Sequence, residues 1–203
     1  MARLIWLAWI AVTVVGAVLS SQAGWQLQWI ERGGSIESQQ VVIFLSAIIG
    51  GLIIGGGQWL VLRRYKVDAY WWIPASVMGN VVAALLIVPA VTSLALRAGI
   101  VLPLNQGGAL AFGIVSLATA GFVVGAAQAL VLRRPAGNIA WLWIPATMFG
   151  EAVAAVLTDA ISPFLIEKMP LIGFPASVIG SLAAVGALAL AACQAPILTR
   201  VRR

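Results

Sequence analysis

Gly51-Leu-Ile-Ile-Gly55-Gly-Gly-Gln58-Trp-Leu-Val-Leu-Arg-Arg64 returns seventy residues later as Gly121-Phe-Val-Val-Gly125-Ala-Ala-Gln128-Ala-Leu-Val-Leu-Arg-Arg134. The segment that follows each copy also repeats: Trp72-Ile-Pro-Ala-Ser-Val-Met-Gly79 becomes Trp143-Ile-Pro-Ala-Thr-Met-Phe-Gly150. Such a period marks a repeated supersecondary unit. A third copy is split between the chain ends. Gly186-Ala-Leu-Ala-Leu-Ala-Ala-Cys-Gln194 leads to Arg200, and Trp9-Ile10 followed by Gly16 keeps the spacing of the second half. The last and first helices are therefore expected to form the third hairpin.

Composition says what medium surrounds these units. Of 203 residues, 62% are apolar and only 9% charged, and the mean hydropathy is +1.05. Soluble domains carry about 25% charged residues, so a soluble globular protein and a disordered chain are both excluded. Spans of about 20 apolar residues cross a bilayer as helices. Six are expected, at about 4–20, 40–62, 71–96, 108–132, 141–162 and 175–198. The fold is expected to be all-α: a six-helix transmembrane bundle of three helical hairpins with a pseudo-threefold internal repeat, one integral membrane domain over residues 1–203. Hairpins in one orientation distinguish it from inverted-repeat transporters. The first run lacks a small-x-small cleavage site after it and reads as a structural helix, not a cleaved leader.

Charge sets the orientation. Nine basic residues, Arg3, Arg63, Arg64, Lys66, Arg133, Arg134, Arg200, Arg202 and Arg203, fall on the side of the termini, against three (Arg32, Arg97, Lys168) on the other. By the positive-inside rule both termini are expected in the cytoplasm, in a bacterial cytoplasmic or thylakoid membrane. The basic residues sit at the ends of apolar runs, which argues against nucleic acid as a partner. The tryptophans near the span ends read as an interfacial belt, with rings buried and N–H groups wet. Apolar loops at 22–30, 100–104 and 164–174 are expected to lie in the interface or against a partner.

The repeated motif resembles that of bacterial multi-pass membrane proteins of cyanobacterial and Chloroflexota type, which are uncharacterised and carry G-x-x-x-G-x-x-Q-W-L-V-L-R before a Trp-rich helix. The resemblance covers about residues 50–80 and 120–152; the third copy departs from it, having lost Trp and one Arg. It implies a family and no activity.

The polar residues within the spans are few enough to weigh singly. Gly51, Gly55 and Gln58 share a helix face, as do Gly121, Gly125 and Gln128, and Ala187, Ala191 and Gln194. Small residues four apart let membrane helices approach closely. Each glutamine is then directed at a neighbouring helix, as structural glue or as a ligand ring, with a side chain or a backbone group near Pro74 or Pro145 as its partner. The second half of each unit carries a hydroxyl, Thr13, Ser76 or Thr147, and four residues later Ala17, Asn80 or Glu151. Glu151 lies about 12 Å below the interface at 1.5 Å per residue. A carboxylate there costs at least ~2.5 kcal/mol, so it should be protonated, paired or solvated through a cavity. Glu151, Asn80, Thr147, Ser76 and Thr13 are the candidate intramembrane polar site, with Asn80 and the hydroxyls as expected partners of Glu151.

The chain has no histidine and a single cysteine, Cys193. No His-ligated metal, Ser-His pair or internal disulfide can form, and no enzyme is expected. No cofactor is predicted; a bound lipid or pigment stays open. The expected role is a non-catalytic accessory, assembly or lipid- or pigment-binding subunit of a larger membrane complex, in contact with lipid and other subunits. The alternative is a small-solute transporter or substrate-binding subunit that uses Glu151.

Overall fold

The computed structural model describes residues 2–30, 34–67, 69–98, 106–168 and 174–201. Every element among them is helical: α1 (Ala2–Ile30), α2 (Ile36–Arg64), α3 (Trp72–Val82), a π turn (Ala83–Ile87), α4 (Val88–Arg97), α5 (Gln106–Ala136), a 3-10 turn (Gly137–Leu142), α6 (Trp143–Lys168) and α7 (Phe174–Val201). Five stretches are long and apolar enough to cross a membrane: Leu4–Leu27, Ile36–Arg64, Trp72–Arg97, Leu110–Ile161 and Ile179–Leu198. This is consistent with an integral membrane protein. The fourth contains both α5 and α6, which pack on each other across the 3-10 turn.

Local chemistry sets the helix ends. Ser35 caps α2 by accepting the Ser38 N–H, and Glu37 sits in the first turn with Arg63 and Arg64 in the last, each matching the helix dipole. Past Arg64 the chain reverses through Lys66 at φ 60°, and the Val67 N–H returns to the Leu62 carbonyl at 2.9 Å. The turn after α5 gives its positive φ to Gly137. Pro89 has no N–H for a helical bond, and the span bulges into the π turn just before it. Helix α1 runs ten residues beyond the expected end at 20, so 22–30 is helix and not loop. Helix α6 likewise continues to Lys168, and α7 begins at Phe174. The apolar segment 100–104 and residues 169–173 lie outside the described residues.

The helices close on themselves. Contacts run α1 to α2, α2 to α3, α3 to α5, α5 to α6, α6 to α7, and α7 back to α1. The first and last helices thus pack side by side, as the split motif suggests. Three junctions use one device. A Cβ on Gly16 would lie 3.2 Å from the Ile54 Cα, on Gly79 2.9 Å from the Val124 Cα, and on Gly150 2.7 Å from the Leu190 Cα. A methyl would force the backbones apart at Gly79 and Gly150, and Gly16 leaves a few tenths of an ångström too little room for one. Leucines 52, 60, 86, 130 and 188, with Phe122 and Phe149, stay exposed around the outside, as a lipid-facing surface requires.

The core sits at one end. Leu62, Leu132 and Leu198 occupy matching repeat positions and are fully buried, together with Trp9, Trp72 and Trp143. Ile5, Ala69 and Ala140 join this cluster, which gathers the first and last helices and the two arginine-bearing turns at what we term the arginine end. Trp9, Trp72 and Trp143 therefore do not belong to an interfacial belt. They are 0% exposed, whereas Trp71 is 67% and Trp141 40% exposed. The physical reason is that each buried indole has found a polar partner inside the bundle.

Candidate functional site

Each buried indole stands four residues before a hydroxyl and seven before a glycine: Trp9, Thr13, Gly16; Trp72, Ser76, Gly79; Trp143, Thr147, Gly150. This spacing puts all three on one helix face. The glycine brings the next helix in, and that helix presents a glutamine to the hydroxyl of this face and to the indole of the following unit.

The result is a cycle of hydrogen bonds. Trp72 Nε1 donates to Gln58 Oε1 at 3.3 Å, and Gln58 Nε2 donates to Thr13 Oγ1 at 3.1 Å. Trp143 Nε1 donates to Gln128 Oε1 at 2.8 Å, and Gln128 Nε2 to Ser76 Oγ at 3.0 Å. Trp9 Nε1 donates to Gln194 Oε1 at 3.2 Å, and Gln194 Nε2 to Thr147 Oγ1 at 3.0 Å. Each glutamine ties its own helix to two others. All three glutamines and all three hydroxyl residues are buried, none above 4% exposed. The three indoles meet edge to face, with centroids 5.8, 5.5 and 5.6 Å apart, the arrangement that the ring quadrupole favours.

Burial is what makes this network matter. Water is excluded, so a glutamine removed without replacement leaves a donor and an acceptor unmet. Gln128→Leu is expected to destabilise the protein by roughly 1–2 kcal/mol, given about 0.6–2 kcal/mol per membrane hydrogen bond. Thermal unfolding in detergent checks this. Leu130→Ala on the exposed side of the same helix should change the midpoint far less.

Glu151 stands outside the cycle. The expected partners are engaged elsewhere: Thr147 Oγ1 accepts from Gln194 and donates to the Trp143 carbonyl at 2.8 Å, and Asn80 Nδ2 donates to the Ser76 carbonyl at 2.8 Å. Neither is brought to the Glu151 carboxyl, which has no hydrogen-bond or ion-pair partner among the described residues. The half-buried side chain instead lines a cavity of about 400 Å³. The cavity begins at Thr13, directly against the hydrogen-bond cycle. It follows α1 through Ala17 and Ser21, away from the arginine end. Ala154 and Thr158 of α6 line it, as do Ala183, Gly186 and Leu190 of α7. Ser21 Oγ is spent on the Val18 carbonyl. Glu151 and Thr158, seven residues apart on one face of α6, are left as its free polar groups among the described residues.

The candidate polar residues thus divide. Thr13, Ser76 and Thr147 belong with Gln58, Gln128 and Gln194 in one network, Asn80 bonds its own helix, and Glu151 faces the cavity. The three indoles were read in the sequence as repeat positions and as part of an interfacial belt, not as members of this network, although their fixed distance from the hydroxyls was the available signal. The α7 wall of the cavity carries no polar motif that could have announced it. A mostly apolar chamber with one carboxyl and one hydroxyl can receive an apolar molecule that carries a donor or a positive charge. No family model, curated protein or solved structure matches the chain.

Proposed function

We propose that this chain is a non-catalytic, polytopic membrane protein that holds a small, mostly apolar molecule of the lipid or pigment class in the Glu151 cavity, as a subunit of a larger membrane complex. In this reading α5 and α6 cross separately. The six crossings then form three hairpins about a pseudo-threefold axis, the third made by α7 and α1. The arginine end faces the cytoplasm of a bacterium.

The observation that carries the reading is the unpartnered Glu151 carboxyl at the wall of an apolar cavity, beside a network in which every other repeated polar side chain is paired. The repeat supplies Ala17 and Asn80 at the corresponding positions, so symmetric packing alone does not call for an acid. An intramembrane acid that packing does not require is a functional group by default. The hydrogen-bond cycle supports a holding role, since it braces one end of the chamber with cross-linked side chains.

The test is purification of the full chain from its native membranes in mild detergent, with identification of bound small molecules and copurifying proteins. An apolar compound bearing an amine or hydroxyl is expected with the wild type. Ala183→Phe, which fills the cavity, should reduce its yield at least about tenfold. Glu151→Gln should keep the fold and weaken retention by about tenfold, the worth of one charge-assisted hydrogen bond. Equal yield from wild type and Ala183→Phe would defeat the cavity reading, and absence of any partner protein would defeat the subunit reading.

The same carboxyl favours a second reading, a substrate-binding or transport subunit in which Glu151 carries the proton or cation. Proteoliposomes loaded with the recovered compound should then lose proton-driven exchange in Glu151→Gln.

A further inference from the structure

A second cavity, of about 450 Å³, lies at the arginine end between α2 and the turn that follows it, lined by Trp59, Arg63, Lys66, Val67, Ala69 and Tyr70. Its polar groups are all donors or donor-capable: a guanidinium, an ammonium, an indole N–H and a phenol. The Arg63 guanidinium is held over the Trp59 ring at 5.2 Å, which fixes a charge that would otherwise swing in solvent. Lys66 occupies the left-handed region at φ 60°, a conformation that disfavours a residue with a Cβ; the corresponding turn after α5 uses Gly137. Neither cation pairs with a carboxylate among the described residues. A smaller cavity of about 250 Å³ adjoins across Tyr70 and adds Trp71 and Arg134.

We propose that this pocket binds a phosphate-bearing anion at the membrane surface, with the headgroup of an anionic phospholipid as the form that fits its setting. The placement matches that ligand. Trp59 and Tyr70 present the amphipathic rings that settle at headgroup level. The exposed Leu130, in the wall of the smaller cavity, offers apolar surface for acyl chains. Arg63 and Lys66 give one site two cations from a single turn, and juxtamembrane cations attract anionic headgroups. Asp68 lies between two lining residues in sequence and outside the described residues.

The experiment uses the full chain in neutral detergent and measures binding of dioctanoyl phosphatidylglycerol, dioctanoyl phosphatidylcholine and inorganic phosphate by native mass spectrometry and calorimetry. Phosphatidylglycerol should bind, and phosphatidylcholine should bind much more weakly. Arg63→Gln combined with Lys66→Gln should weaken phosphatidylglycerol about 30-fold, a factor of about five for each cation. Arg97→Gln at the opposite end should leave it unchanged. Competition by millimolar inorganic phosphate would identify the free anion as the source; lack of competition would identify the lipid. Equal binding of both lipids, or a double variant that binds like wild type with unchanged circular dichroism, would overturn the site.

Discussion

Trp72→Ala is expected to lower stability by about 3–5 kcal/mol, the range for truncating a large buried aromatic. Trp72 is 0% exposed and touches both other indoles edge to face, at 5.8 and 5.6 Å. Removing it opens a void at the centre of the core, ends two aromatic contacts worth about 0.5–1.5 kcal/mol each, and leaves Gln58 Oε1 without its donor. The neighbouring Trp71 is 67% exposed, so Trp71→Ala should cost under about 0.5 kcal/mol. Unfolding in detergent gives the two values. Near-ultraviolet circular dichroism gives a second reading, because the buried indoles are packed edge to face against one another. Equal midpoints for the two variants would mean that the Trp cluster is not the core.

Gly51→Ala should be nearly as damaging, at about 2–3 kcal/mol, through overpacking. A Cβ there would lie 2.6 Å from the Val77 Cα. That atom is backbone and cannot rotate aside, so α2 and α3 must separate. Gly56 lies five residues on in the same helix, and a Cβ there meets nothing within 4 Å. Gly56→Ala should be neutral or stabilising, since alanine gains up to about 1 kcal/mol over glycine in a helix. The pair differs by position alone, so helix propensity cannot account for opposite signs. If both variants melt alike, the close α2–α3 approach is wrong.

Much of this was legible in the residues. Apolar run lengths marked the candidate spans, and the split motif placed α1 beside α7. The shared face of Gly51, Gly55 and Gln58 pointed the glutamine at a neighbour. The inward turn of Trp9, Trp72 and Trp143 escaped because an indole suits both a headgroup layer and a polar core. Only a partner for its N–H decides between them, and that partner lies on another helix. The solitude of Glu151 escaped for a related reason. Its nearby hydroxyls look available one helix at a time, but three glutamines claim three hydroxyls once the helices assemble. The extension of α1 past residue 20 was hidden because Gln22, Gln26 and Gln28 break the apolar run without breaking the helix.

The bond from Trp9 to Gln194 joins residues 185 apart, and it has a consequence for how the protein is made. A ribosome delivers α1 to the membrane long before α7 exists. Throughout that interval the Trp9 indole has no glutamine, and from the arrival of α6 Thr147 waits for the same side chain. A nascent chain that stalls before α7 therefore displays the Trp9 N–H without its acceptor, while Thr147 keeps only the bond to its own helix. Closure of the hydrogen-bond network therefore waits for α7, which supplies the one glutamine that joins α1 to α6.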